Sequence, residues 1–235
     1  MMKKTVAKSA LVSALLLASS ASMAEISANI SLTNDYRYRG ISQSAENTAV
    51  QGGFDYAHDS GLFVGTWASN VDFGSGDNTN IEHDIYVGYW GEINEDLSYD
   101  VTFYRYIYSG SSGQNYNEIS VGVDYMGARL AYWNAWDYFG GDNTLEYLEA
   151  NYSLDLPEEI SLTLHAGYNF GDELKADNSE YIDYSVSLSK TVAEVDLSLT
   201  YMDTDIDDDD AYFGKVKSGA NANQSALVFS ISKSF

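Results

Sequence analysis

The sequence predicts an all-β protein, a 12-stranded antiparallel transmembrane β-barrel behind a cleaved signal peptide. Three observations predict it. The amino terminus is laid out as an export signal, and apolar residues then recur at every second position almost to the end. The twelve alternating segments are joined by connections that are short and long in turn.

The signal has three zones. Lys3, Lys4 and Lys8 make a positive start, Ala10 to Ala18 is apolar, and Ser22-Met23-Ala24 puts small residues before Glu25. The apolar run is shorter than the roughly 20 residues a membrane helix needs. Residues 1–24 are therefore expected to be removed, leaving 25–235 as one barrel domain. Losing three lysines takes the formal net charge from −23 to −26. Such a surface repels nucleic acid and attracts cations. Cysteine is absent, which excludes disulfides and thiolate metal sites. The 20 Tyr, 9 Phe and 4 Trp argue against disorder despite the charge.

Segment one, 26–39, sets Ile26, Ala28, Ile30, Leu32, Tyr36 and Tyr38 on one face. Segments two (48–57) and three (62–73) follow, with Val50, Phe54 and Tyr56, then Phe63, Trp67, Val71 and Phe73, as the apolar sets. Four (81–93) and five (97–108) carry Ile85 and Val87, then Val101 and Phe103. Six (116–126) and seven (128–139) carry Ile119 and Val121, then Leu130, Trp136 and Tyr138. Eight (145–156) and nine (160–170) carry Leu148 and Leu154, then Leu164 and Tyr168. Ten (180–190), eleven (193–202) and twelve (224–235) end the series with Val186, Leu199 and Phe229. Tight turns fall at 58–61, 94–96, 126–127, 157–159 and 191–192. Longer links fall at 40–47, 74–80, 109–115, 140–144, 171–179 and 203–223. In outer-membrane barrels the short turns are periplasmic.

A soluble sandwich would also alternate. Lipid is favoured by a polar face of Ser, Thr, Asn, Asp and Gly, and by Tyr and Trp near strand ends. Phe235, behind Leu227, Phe229 and Ile231, resembles the carboxy-terminal signal read by outer-membrane assembly machinery. Strand one should pair with strand twelve, because hydrocarbon tolerates no open edge. Lys233 falls on the apolar face near the rim, where it can snorkel. Asn34, His83 and Arg105 share that face; a bulge would excuse Asn34.

The blocks SLTNDYRYRGISQS (31–44) and AVQGGFDYAHDSGLFVGTWASNVDF (49–73) resemble the proteobacterial Gcw_chp family, also called TorF-family porins. The resemblance runs the length of 25–235. It implies an outer-membrane barrel with a transport role and supplies no catalytic residues.

The polar face supplies the candidate functional residues: Asp35, Arg37, Arg39, Asp55, Asp72, Glu82, Asp84, Asp100, Glu118, Asp124, Arg129, Asp137, Glu149, Asp183 and Asp196. Carboxylates in a narrow lumen favour cations, so the expected function is a passive channel for small hydrophilic solutes, preferring cations. The alternative is a plugged structural or adhesive barrel, its charges paired inside. Arg37 and Arg39 fit either a clamp on an anionic solute or neutralisation of acids such as Asp55, Glu82 or Asp84. Asp203, Asp205 and Asp207 begin like a calcium loop, but Asp208 and Gly214 break the pattern. Loosely bound Ca²⁺ or Mg²⁺ there would bridge the loop to lipopolysaccharide. Ser69 and His83 on one outer face would suit a lipid hydrolase. No cofactor motif appears. Expected partners are membrane lipid, lipopolysaccharide, the assembly machinery and small solutes or cations, with no nucleic acid.

Overall fold

The computed structural model describes residues 25–74, 77–175, 178–207 and 222–235, so the expected signal peptide lies outside it. The strands run in chain order as β1 (Glu25–Thr33), β2 (Arg37–Tyr38), β3 (Ile41–Ser42), β4 (Ala49–Ala57) and β5 (Leu62–Asn70). They continue as β6 (Ile81–Asn94), β7 (Leu97–Ser109), β8 (Tyr116–Tyr125), β9 (Ala128–Ala135) and β10 (Leu145–Leu156). The last are β11 (Ile160–Phe170), β12 (Tyr181–Val192), β13 (Val195–Thr204) and β14 (Ala226–Ser234). Twelve of these close one barrel, each paired antiparallel with its neighbours, while β2 and β3 form a separate small hairpin. No described helix is long and apolar enough to cross a membrane.

Closure is made by β1, which pairs with β4 on one side and β14 on the other. Phe235 completes the seam, its backbone exchanging hydrogen bonds of 2.8 and 3.2 Å with Ala28. Apolar rows along the barrel strands point outward and are exposed, among them Ile30, Phe54, Val87, Val121, Leu148, Val186 and Phe229. Registers keep these rows level: Leu32 faces both Val50 and Ile231, and Leu188 faces both Leu162 and Leu199. Buried Thr, Ser, Asp and Glu fill the opposite face. Lys233 sits at the turn end, bonded to Glu194 at 3.1 Å.

Two expectations fail on parity. Segment three is turned over: Leu62 and Val64 point out, while Phe63, Trp67 and Val71 point in. Register decides this, because Val64 lies opposite outward Tyr56 and Val87, and a one-residue slip would flip the whole strand. Tyr138 also leaves the outer face, since β9 ends at Ala135 and the next turn packs Tyr138 against buried Tyr116. Segment one ends early, at Thr33. Asn34 is not a lipid-facing bulge. Its side chain takes over the edge pairing, donating to Leu227 O at 3.2 Å and accepting from Phe229 N at 2.7 Å.

An outward wall in hydrocarbon makes a sharp demand. Val121→Arg, near the middle of β8, is expected to cost about 2–4 kcal/mol of unfolding free energy in phospholipid. Ser198→Arg, inward on β13, should cost much less; guanidinium titrations followed by tryptophan emission give the comparison.

Candidate functional site: the lumen and its inserted segment

Beyond Asn34 the chain enters the barrel at its loop end. Asp35, Arg37 and Arg39 thus reach the lumen on an inserted segment and not on a wall strand, a correction to the expected segment one. Asp35 organises the fold of the insertion. Its carboxylate accepts from Arg37 Nε at 2.7 Å, Ser42 Oγ at 2.7 Å and Ser44 Oγ at 3.3 Å. Arg37 Nη1 donates to Gly40 O at 3.0 Å and Gln224 O at 2.5 Å. Gly40 turns the chain back at φ 82°, and a side chain there would strike Thr204.

Arg39 then crosses the lumen. Its Nη2 lies 2.7 Å from Glu118 Oε1 on β8, and its guanidinium stacks over Tyr147 at 4.3 Å and Tyr38 at 4.6 Å. Glu118 is fully buried and also accepts from Tyr106 at 3.0 Å and Tyr38 at 3.3 Å. Tyr36 donates to Glu82 at 3.2 Å on β6, and Tyr181 on β12 donates to Arg39 O at 3.1 Å. Burial pushes the Tyr36 and Tyr38 phenols up, with Glu82 and Glu118 respectively adding to the rise, so both remain donors. The insertion is fastened to opposite walls and fills the loop-end half of the lumen. The two arginines neutralise acids as one expectation had it, but the partners are Asp35 and Glu118. Asp55 is bonded instead to Tyr86, and Asp84 keeps one buried oxygen without a partner.

Toward the turn end the lumen becomes wet. Arg129 bridges Asp100 at 2.8 Å and Asp124 at 2.6 Å, in space that a side chain on Gly122 would occupy. His165 contacts Asp183 at 2.8 Å, Tyr147 at 3.0 Å and Asn151 at 2.8 Å, with Glu149 3.8 Å away. Side-chain exposure rises along the axis from 0% at Glu118 to 13% at Asp100 and 42% at Asp124. Among the described residues Arg37, Arg39 and Arg129 are the arginines or lysines that face inward.

Other candidates do not assemble as expected. Asp137 leaves the lumen set: it lies beyond β9 and accepts from Asn117 N and Nδ2, both at 2.8 Å, at the outward side of the rim. Ser69 points inward and is buried, whereas His83 points outward opposite Ala68, so the Ser/His pair does not form. His83 meets Thr66 Oγ1 at 2.7 Å, and that hydroxyl already donates to Asp84 O. Asp203 accepts from Tyr184 at 3.2 Å and Tyr201 at 3.1 Å, and Asp205 from Ile182 N at 2.6 Å; Asp207 is exposed. Among the described residues no three such ligands are grouped to hold a metal ion; residues 208–210 lie outside them.

Sequence reasoning missed a cavity of about 260 Å³ on the loop side of the insertion, lined by residues including Tyr38, Arg39, Phe73, Phe139 and Tyr181. Its walls come from loops, the small hairpin and the ends of β10 and β12, where alternation carries no signal.

A family model described as "Bacterial protein of unknown function (Gcw_chp)" matches residues 17–235. A search of curated proteins finds no match. Among solved structures the fold is similar to the KdgM porin, with a TM-score of 0.56 at 10% identity over 91% of this chain and 99% of that one. It is similar also to the NanC porin, with a TM-score of 0.53 at 7% identity over 88% and 98%.

Arg39→Ala leaves Glu118 buried without its ion partner. The expected loss is about 3–5 kcal/mol, read as a lower temperature for the heat-modifiable shift on a denaturing gel. Arg39→Met with Glu118→Met should recover most of it.

Proposed function

The chain belongs to the Gcw_chp family, and from that premise and the lumen chemistry we propose an outer-membrane, porin-like passive channel for small hydrophilic solutes, preferring cations. The observation that carries this is the charge balance of the wet half. Asp100, Asp124 and Glu149 face it against Arg129 and His165, and exposure grows toward the turn end. A narrow, partly desolvated passage lined this way lowers the energy of a cation and raises that of an anion. The likeness of the fold to porins supports the same reading.

In this reading the long loops are extracellular and the short turns periplasmic. The insertion is then a closure at the outer half, and conduction requires it to shift. The outer rim presents Glu146, Glu180 and Asp203 beside Tyr132, Tyr168 and Tyr184. There loosely held Ca²⁺ or Mg²⁺ would offset repulsion between carboxylates and lipopolysaccharide phosphates. Phe235 serves assembly.

The insertion also favours a second reading, a plugged structural barrel. Planar bilayers separate the two. The refolded protein is expected to give current steps whose reversal potential in a salt gradient has the cation sign, and Asp100→Asn with Asp124→Asn should move it toward zero. Replacing residues 36–46 by a short Gly-Ser link should raise conductance severalfold. Silence from both proteins leaves only the structural barrel, and an anion-signed potential removes the cation preference.

A further inference from the structure

The cavity above the insertion is built, not left over. Several separate parts of the chain converge on it, among them the insertion with Tyr38 and Gln43, the stretch after β5 with Phe73, the turn after β9 with Phe139, and the start of β12 with Tyr181. Two of its lining residues, Arg39 at φ 49° and Phe139 at φ 48°, hold a left-handed backbone that costs a non-glycine residue energy. Neighbours enforce the second: the Phe139 ring packs on Tyr108 at 5.3 Å, Tyr138 at 4.7 Å and Phe73 at 5.9 Å. Strain kept by packing at a cavity wall is the pattern of a ligand site.

The chemistry of the walls narrows the ligand. Aromatic side chains offer apolar contact to a compact ring. Polar groups interrupt them. Gln43 Nε2 donates to Ile41 O at 3.1 Å, which leaves its carbonyl oxygen to accept. Arg39 Nη1 is a buried donor with no partner. The charge on Arg39 is already matched by Glu118 at 2.7 Å, so no uncompensated cation waits for an anion. Asp72, also on the wall, disfavours one. The volume of about 260 Å³ is just under the range of drug-sized pockets, room for one or two small rings. A ring with apolar faces, hydroxyls on its edge and no net charge meets all of these conditions.

We infer that this cavity is a capture site for a neutral mono- or disaccharide. The inference rests on the channel reading, whose solute class it names, although binding itself needs no conduction.

Isothermal titration calorimetry on the refolded full chain in detergent tests it, with glucose and maltose as neutral probes and galacturonate and arginine as charged ones. At least one neutral sugar is expected to bind, with galacturonate and arginine about tenfold weaker or silent. Phe139→Ala should weaken the sugar about tenfold, and Gln43→Ala should weaken it as well. Both variants must keep the heat-modifiable gel shift. No heat with either neutral sugar, charged probes binding as well as sugars, or wild-type affinity in both folded variants would overturn the site. Cation-selective current without sugar binding removes this inference alone. Sugar binding in a protein that never conducts removes the channel and keeps the site.

Discussion

A backbone N–H or C=O in hydrocarbon has no water to bond, and on the proposed membrane reading the closure of this barrel answers that penalty. It forces β1 to pair on both edges and makes the last residue of the chain part of the wall. It also explains the loop end, where neighbouring strands stop at different heights. Side-chain carbonyls and carboxylates accept the orphan N–H groups there: Asn34 from Phe229, Asn70 from Val50, Asn115 from Tyr108, Asp137 from Asn117 and Asp205 from Ile182. Each side chain extends the ladder by one rung where the backbone has turned away. Several residues that read as polar intruders or site candidates are therefore sealing the sheet.

Closure creates the second problem, a lumen crowded with carboxylates. The two ends solve it differently. At the loop end water is displaced by the insertion, so Glu118 and Glu82 must find donors in protein: Arg39, Tyr36, Tyr38 and Tyr106. At the turn end Asp124 keeps contact with solvent and shares Arg129 with Asp100. Tyrosine is the residue that makes the dry solution workable. It packs as an aromatic, as in the stacked Tyr106–Tyr116 pair with ring centroids 4.4 Å apart, and still carries a hydroxyl to a buried carboxylate.

The outward wall was legible because period two is a direct consequence of strand geometry. Most of the apolar rows need only a sign, and the exposure of Ile30, Val87, Val121, Val186 and Phe229 supplies it. Segment three misled because its aromatics, Phe63, Trp67 and Phe73, all sit on the inward face, while the outward face carries the smaller Leu62 and Val64. Trp67 packs inside against Tyr36 of the insertion and Phe73 against Tyr108 of β7, long-range contacts that no local pattern announces. Segment one misled for the related reason that its alternation resumes at Tyr36 and Tyr38 after the backbone has left the sheet. The one local sign was Asn34, apolar by parity and polar by chemistry. The carboxylates of the lumen were legible as a set, but their partners were not, since the Arg39–Glu118 contact joins residues 79 apart.

That contact ties closure to charge. The insertion brings Arg37 and Arg39 into the lumen together with Asp35, and Arg129 is the remaining inward guanidinium on the described wall. Removing the insertion would therefore leave Glu82, Asp84 and Glu118 facing one another without Arg39 beside them. An opened lumen leaves the buried Glu118 without its guanidinium partner. Coulomb repulsion among those carboxylates works against opening, and any cation that enters offsets it. The carboxylates that hold the insertion, Glu82 and Glu118, are not those of the wet half, Asp100 and Asp124, so the hold on the insertion and the proposed ion preference can be altered separately.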